Sequence, residues 1–167
     1  MSRSAVHMLA AAGVAGALLA GCAHPWQVAD LSPGTPREQV LAQAGQPARV
    51  VPLAGGGQRL QYPQPGLRQA LMIDLDAAGR LVGVRQVLAP AYFNRIEADR
   101  WTRDDVEREF GPPYQVDRVA SWGGPIYTYR WLEGNERMLY WVYFDPQGVV
   151  RRHHPGIDHV NTPNTRD

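Results

Sequence analysis

An internal duplication restricts the fold of this chain more than any other feature of its sequence. Matching positions are two helix-like stretches, Thr35–Val40 and Trp101–Val106, the glycines Gly45 and Gly111, the prolines Pro47 and Pro113, the tyrosines Tyr62 and Tyr129, and the segments Asp76–Gly79 and Asp145–Gly148. The offset between the copies drifts from 66 to 69 residues, as expected if small insertions fall in loops. We therefore predict two copies of one supersecondary unit.

Each copy is predicted to begin with a short helix. Thr35 and Thr102 are the predicted N-caps, because a threonine oxygen can accept a hydrogen bond from the free amides of a first helical turn. Gly45 and Gly111 are the predicted helix ends, since glycine tolerates the backbone conformation that commonly follows a last turn. A short helical turn is also predicted before each helix, at 26–30 and 92–98.

Alternating sequence patterns predict four strands in each copy. They span 49–51, 58–62, 69–75 and 80–87 in the first copy and 115–119, 126–131, 137–144 and 149–152 in the second. Consecutive strands joined by tight turns pair antiparallel. The predicted fold class is α+β, with two tandem helix-then-antiparallel-strand repeats whose helices pack on one face of a continuous antiparallel sheet.

The amino terminus predicts export and lipidation. Arg3 precedes an uncharged apolar run, Met8–Ala20, which is shorter than the ~20 residues that a membrane-spanning helix needs, so residues 1–21 are predicted to be a signal peptide that is removed. Leu19–Cys22 resembles the bacterial lipobox, in which the cysteine thiol receives a diacylglycerol and its amine receives a further acyl chain. Cys22 is the only cysteine of the chain. The alternative is a soluble-secretion signal in which this cysteine is incidental.

The resemblance to a lipobox implies a lipoprotein that carries palmitate or a similar chain on Cys22. Two or more acyl chains hold a protein stably on a membrane. By resemblance to sorting in Gram-negative bacteria, Ala23 in place of an aspartate points to the outer membrane and its periplasmic face. No cofactor is predicted beyond this covalent diacylglycerol and N-acyl lipid.

The folded part resembles the SmpA/OmlA (BamE-like) family of outer-membrane lipoproteins. The matching residues are Leu31, Gly34, Val40, Gly45, Pro47 and Tyr62 in the first copy and Val106, Gly111, Pro113, Tyr127, Tyr129, Phe144, Asp145 and Gly148 in the second. The resemblance implies helices packed on an antiparallel sheet and an accessory role in the assembly of β-barrels. The tandem arrangement resembles the β-lactamase-inhibitor-protein fold, in which one continuous sheet binds a protein.

These patterns together predict the domain organisation. The predicted segments are a signal peptide (1–21), a lipidated tether (22–30), a first BamE-like repeat (31–88), a linker (89–95), a second repeat (96–152) and a flexible tail (153–167).

The two copies differ most in their aromatic residues. Residues 31–88 contain one aromatic residue, whereas residues 96–152 contain eleven. Leu139, Trp141 and Tyr143 alternate with a row predicted to face the helices, so they are predicted to lie on the open face of the sheet, where polar residues are usual. Arg130 is predicted to share that face and to stack on Trp141. Aromatic residues anchor protein interfaces, so these four residues are the predicted partner-binding site. The alternative is that other parts of the chain cover them.

Charge and chemistry argue against several functional classes. The formal net charge is only +1, so a nucleic-acid partner is not expected. No histidine lies between Pro25 and Arg152, and no G-x-S-x-G motif occurs, so no catalytic residues are predicted. His153, His154 and His159 are close in sequence, but a metal site needs ligands held in a fixed geometry, and none is predicted in the tail. The acid pairs Asp74 with Asp76 and Asp104 with Asp105 are assigned to structural roles.

Three functions remain as hypotheses. The first is a non-enzymatic accessory lipoprotein of envelope or β-barrel assembly that binds an envelope protein. The second is a periplasmic inhibitor or sensor that binds one protein through its tandem sheet. The third, and the least supported, is a small hydrolase with a metal in its tail.

Overall fold

The computed structural model describes residues 24–159, and this part of the chain has an α+β fold. Its α-helices are α1 (Arg37–Ala44), α2 (Pro90–Phe93) and α3 (Arg103–Phe110). Short 3-10 helices span Pro25–Asp30, Ala54–Gly56 and Pro65–Leu67. None of the described helices has both the length and the apolar character needed to cross a membrane.

Eight strands form two four-stranded antiparallel sheets. The first sheet contains β1 (Arg49–Pro52), β2 (Gln58–Gln64), β3 (Gln69–Leu75) and β4 (Leu81–Gln86), paired in sequence order. The second contains β5 (Gln115–Asp117), β6 (Ile126–Glu133), β7 (Glu136–Phe144) and β8 (Val150–Ile157), also in sequence order. The strands begin and end close to the predicted positions, except that β8 continues beyond Arg152.

The two predicted helix caps have different outcomes. Thr102 caps α3 as predicted: its hydroxyl accepts from the Asp105 amide, and the Asp105 carboxylate accepts from the Thr102 amide. The prediction for Thr35 is wrong, because its hydroxyl donates to the Ser32 carbonyl at 2.7 Å and α1 begins after Pro36 without a side-chain cap. In the sequence alignment Pro36, not Thr35, is the residue that matches Thr102, and proline has no side-chain oxygen to offer.

The first hydrophobic core lies between α1, with the preceding 3-10 helix, and one face of the first sheet. Val28 and Val40 contribute from the helices, and Leu71, Ile73 and Leu75 contribute from alternate positions of β3. All five are at most 1% exposed. This row of β3 therefore faces α1.

The second core joins both halves of the chain. Val106 and Phe110 of α3 pack with Tyr140 and Val142 of the second sheet, and also with Met72 on the opposite face of the first sheet. The layers therefore follow one another as α1, first sheet, α3 with α2, and second sheet, with β3 and β6 also in direct contact at one place. Glu109 of α3 is buried along with Val106 and Phe110, because its carboxylate pairs with Arg59 of the first sheet at 2.7 Å.

This layering corrects the prediction of one continuous sheet. β4 and β5 are both edge strands and do not pair with each other. The second unit instead places α3 on the face of the first sheet that α1 leaves uncovered. Contact with α3 removes the apolar side chains of this face, Ala70 and Met72, from water. The two sheets therefore need not join edge to edge.

An ionic network holds α3 to the first sheet, and we call it the interlayer network. Arg59 of β2 donates to both carboxylate oxygens of Asp74, at 2.7 and 2.9 Å, and to Glu109 of α3 at 2.7 Å. Arg85 also pairs with Asp74, and Arg95 pairs with Glu109 at 3.1 Å. Burial alone would lower the pKa of the Arg59 guanidinium, but its bonds to the two carboxylates raise that pKa above its usual value.

The segments on either side of the predicted repeats are more structured than the sequence indicated. Residues 25–30, predicted as part of a tether, form a 3-10 helix whose Val28 is fully buried against α1. The helical turn predicted there is confirmed, but the segment does not act as an open tether. Residues 153–157, predicted as part of the tail, belong to β8. Of the segments predicted as tether (22–30) and tail (153–167), residues 25–30 and 153–157 thus belong to regular elements.

Candidate functional site

The site predicted from the sequence lies on the side of the second sheet that points away from α3, which we call the open face. On β7, Tyr140, Val142 and Phe144 are buried in the core. Leu139, Trp141 and Tyr143 alternate with them and are all partly exposed. The alternation predicted from the sequence is therefore confirmed, and the described residues place no helix or strand over this side of the sheet.

Trp141 occupies the middle of the open face. It pairs in register with Thr128 of β6 and His154 of β8. Its ring lies 5.1 Å from the His154 ring and extends over Gly156, where an added methyl group would overlap the indole. The absence of a side chain at Gly156 therefore lets the indole lie flat across β8.

Tyr143 extends this aromatic surface toward the loop that joins β5 to β6. Its ring contacts the edge of Trp122 at 5.3 Å and stacks on His154 at 5.5 Å. Trp122 is fixed in turn, because its indole nitrogen donates to the Phe144 carbonyl at 2.7 Å. Arg152 lies 5.3 Å from the centre of the Tyr143 ring. The open face thus combines three aromatic rings with a basic rim.

The predicted contact between Arg130 and Trp141 is wrong. Arg130 does share the open face, since it pairs in register with Leu139. Its guanidinium, however, lies over the Tyr114 ring at 4.1 Å and 3.5 Å from the Asp158 carboxylate. Asp158 also accepts from Arg68 at 2.6 Å, so these partners draw Arg130 toward one end of the sheet.

A groove of about 400 Å³ lies on the open face and has room for a ligand or a partner side chain. It is lined by Asp117, Val119, Ser121, Trp122, Ile126, Trp141, Tyr143 and Arg152. Asp117 is held by hydrogen bonds from Gln115 and from Thr128, the latter at 3.2 Å. The groove therefore offers aromatic surface between one acidic and one basic side chain.

A second groove, of about 360 Å³, opens between the two halves of the chain. Its walls are mostly apolar: Ala70 and Leu88 come from the first half, and Phe110 and Tyr129 come from the second. Pro112 and Pro113, which follow α3, and Arg130 complete the rim. Arg130 is therefore shared between this groove and the open face.

The histidines are placed differently from the prediction, because two of them lie in β8. His153 faces the core side and forms a 2.6 Å hydrogen bond with the Tyr140 hydroxyl. Burial lowers the pKa of His153, and His154 adds to this, while a backbone hydrogen bond with Ile96 opposes it. His154 faces the open side, with its Nε2 3.2 Å from the Tyr143 hydroxyl. Within residues 24–159 no three potential metal ligands come together.

The acid pairs have structural partners. Asp74 belongs to the interlayer network, and Asp76 accepts from the Ala78 and Arg80 amides in its turn. Asp105 completes the cap of α3.

Sequence reasoning did not single out Trp122, His154 or Arg152 as parts of the site. A tryptophan inside the Gly-rich segment 121–124 was the available signal for Trp122, whereas the positions of His154 and Arg152 depended on the full length of β8.

Cys22, the predicted lipidation site, lies outside the described residues. The first described residue, His24, is already fixed, because its amide donates to the Gln43 carbonyl of α1 at 3.0 Å. The beginning of the described chain therefore lies beside α1.

Comparison with known proteins gives no family assignment. No family model matches the chain, and no curated protein matches it. Among solved structures, it is similar to a DUF4309 family protein (YjgB) from Bacillus subtilis, with 12% identity, a TM-score of 0.31, and coverage of 74% of this chain and 78% of that one. It is also similar to an extracellular protein containing a SCP domain from Bacillus anthracis, with 16% identity, a TM-score of 0.29, and coverage of 75% and 44%.

Proposed function

We propose that this chain is a lipid-anchored accessory protein that binds another envelope protein during envelope or β-barrel assembly. The anchor is Cys22, and the location is the periplasmic face of the outer membrane. The protein acts by binding and not by catalysis, and it belongs with the SmpA/OmlA (BamE-like) lipoproteins. The proposal combines the sequence resemblance with the chemistry of the open face.

The observation that carries the proposal is the aromatic composition of the open face. Trp141, Tyr143 and Trp122 are partly exposed side by side, at a place where a solvated sheet usually carries polar residues. Tryptophan and tyrosine are enriched among the residues that dominate binding energy in protein interfaces. Arg152 and His154 supply a polar margin, as interfaces commonly have.

We further propose that the fold arose by duplication of one helix-then-strand unit. Equivalent tertiary hydrogen bonds in the two halves support this. Tyr62 donates to the Gly45 carbonyl at 2.9 Å, and Tyr129 donates to the Gly111 carbonyl at 3.0 Å. The first helical amide also bonds to the glycine of the matching hairpin in each half, through Arg37 with Gly79 and Arg103 with Gly148.

The layer order supports binding away from the membrane. The lipid would attach beside α1, whereas the open face lies on the outer side of the fourth layer. A partner in the periplasm could therefore reach the open face while the lipid holds the opposite side of the protein. This arrangement suits an accessory subunit that presents a surface to a membrane-bound complex.

Affinity purification of the tagged full chain from crosslinked membranes tests this function. We expect subunits of a barrel-assembly or related envelope complex to co-purify, and Trp141→Ala to reduce their recovery. Their repeated absence after crosslinking would exclude the assembly role. Recovery of a single dominant enzyme would favour the inhibitor or sensor hypothesis, which would then depend on the open face alone because the two sheets are not continuous.

The anchor is tested separately by Cys22→Ala. Since Cys22 precedes the first packed residues, we expect this variant to leave the membrane fraction while the melting temperature of the domain stays unchanged. A variant that still sediments with membranes in high salt and carbonate would show that a contact other than the lipid holds the protein there.

A further inference from the structure

The chain itself shows how one sheet face of this type is covered. On the first sheet, the face opposite α1 presents Ala70 and Met72 to α3. The Met72 side chain lies against Gly111, at the end of α3. Gln61, beside Met72, donates to the Glu107 carbonyl in the last turn of α3 at 2.8 Å. The C-terminal end of the short helix α3 thus covers this face of the first sheet.

The open face of the second sheet occupies the matching position in its own unit. Met72 pairs with Gln61 on one side and Arg85 on the other. Trp141 pairs with Thr128 and His154 in the same way. Trp141 therefore occupies the position in the second sheet that corresponds to Met72 in the first. By the same register, Leu139 corresponds to Ala70. Among the described residues no helix follows the second sheet to cover it.

We propose that the open face binds an amphipathic α-helix of the partner protein, in the way that the first sheet binds α3. This inference rests on the proposed function, because it specifies the kind of segment that the partner contributes. Apolar side chains of the helix would contact Trp141 and Leu139. A helix laid on a sheet is a common way for both elements to bury their apolar faces.

Charge indicates what else the helix carries. On the first sheet the ion pairs with α3 run from basic strand residues to acidic helix residues, from Arg59 to Glu109 at 2.7 Å and from Arg49 to Glu107 at 2.8 Å. The margin of the open face carries the basic side chain of Arg152 across the groove from Asp117, which already accepts hydrogen bonds from Gln115 and Thr128. Arg152 is exposed there and lies over the Tyr143 ring, with no salt bridge to a carboxylate of the described residues. We therefore expect glutamate or aspartate on the partner helix, placed to reach Arg152.

Spacing distinguishes a helix from an extended segment. Leu139 and Tyr143 are four residues apart on β7, which corresponds to about 13 Å along a strand. A helix that covers this distance presents residues three, four or seven apart, because these share one helical face. An extended segment presents every second residue. The pattern of contacted residues in the partner therefore reports its conformation.

Site-specific photocrosslinking of the full, membrane-anchored chain tests the proposal. The photoreactive amino acid p-benzoylphenylalanine would replace Leu139 in one variant and Tyr143 in another. Glu38, exposed on α1 on the opposite side of the layers, is the matched control position. Crosslinked peptides would be identified by mass spectrometry. We expect both open-face positions to reach one partner segment, at residues spaced three, four or seven apart, with acidic residues nearby.

Each other outcome has a definite meaning. Contacted residues spaced two apart would overturn the helix and indicate an added strand. If the control position captures an envelope protein while the open-face positions capture none, the open face is not the site, although the proposed binding function stands. If no position captures a protein, the proposed function itself fails.

A charge substitution adds a second readout. Arg152→Glu should lower the crosslinking yield from Leu139 about tenfold, as expected when one charged contact is lost. Arg100→Glu is the control, because Arg100 is exposed, pairs with Glu97 and does not line the groove on the open face. Equal yields in the two variants would contradict the role of Arg152. Circular dichroism of both variants checks that the fold is kept.

Discussion

At the scale of single residues, substitution of Trp141 tests whether this side chain contributes mainly to stability or mainly to binding. It is partly exposed, whereas Trp131 in the preceding strand is 2% exposed and packs in the core. We expect Trp131→Ala to cost about 3–5 kcal/mol of unfolding free energy, and Trp141→Ala to cost clearly less. Urea denaturation of both variants measures this difference.

The same pair of variants tests binding. Trp141→Ala should weaken association with the partner by about 2 kcal/mol or more, as loss of an interface anchor does. If instead Trp141→Ala destabilises the protein as much as Trp131→Ala, then Trp141 is part of the core and the binding face must be sought elsewhere.

A second prediction at this scale concerns His153. Because its pKa in the folded protein is lowered, mainly by burial, the unfolded chain binds a proton there more readily. The stabilising contribution is therefore present above the usual histidine pKa of about 6.5 and is lost as the pH falls below it. We expect the unfolding free energy of the wild-type protein to fall more steeply between about pH 7 and pH 5 than that of His153→Gln. Parallel pH profiles would contradict this.

At the scale of elements, the two matching helices differ in their caps, and this gives a controlled comparison. Thr102→Ala removes the oxygen that accepts from the Asp105 amide, so we expect a loss of about 0.5–2 kcal/mol. Thr35→Ala removes only a hydrogen bond to the Ser32 carbonyl outside α1, and we expect a change of about 0.5 kcal/mol or less. Thermal or urea unfolding compares the two. Equal losses would mean that the cap geometry does not stabilise α3.

The helices and strands were largely predictable because their signals are local. Each of the eight strands has alternating apolar and polar residues or lies next to a recognisable turn sequence. Gly45 and Gly111 end α1 and α3 as predicted. Thr35 was misassigned because threonine is a good cap wherever it precedes a helix, while the position that matters here holds Pro36. The extension of β8 to Ile157 was missed because Pro155 and Gly156 usually interrupt strands; both are tolerated because β8 is at the edge of its sheet.

At the scale of the whole molecule, the layer order was not predictable from local patterns. The sequence indicated correctly which row of β7 faces the core. It did not show that the C-terminal end of α3 meets the first sheet, because the residues that pair there, Glu107 and Glu109, are typical of a solvated helix. Their partners, Arg49 and Arg59, lie 58 and 50 residues away in the chain. Only the three-dimensional structure joins charges at such separations.

The interlayer network leads to the last prediction, which concerns how the two halves are coupled. Arg59 is 5% exposed and forms ion pairs with both Asp74 and Glu109. Replacing it by methionine keeps much of the side-chain volume but leaves two poorly exposed carboxylates with only Arg85 and Arg95, which are both more exposed. Removing one partner of a buried ion pair costs about 3–5 kcal/mol. We therefore expect Arg59→Met to lose this much unfolding free energy.

Arg100→Met is the matched control for Arg59→Met, since the side chain of Arg100 is 78% exposed in its pair with Glu97 and such surface pairs contribute about 0–1 kcal/mol. Urea denaturation followed by tryptophan fluorescence and by far-UV circular dichroism compares the two variants. Four of the five tryptophans lie in the second half, so fluorescence reports mainly on that half, whereas circular dichroism reports on both sheets. If Arg59 couples the halves, the two signals coincide in the wild-type protein and separate in Arg59→Met. Coincident transitions in Arg59→Met, with a loss no greater than that of Arg100→Met, would show that apolar packing of α3 against Met72 holds the halves together without the ionic network.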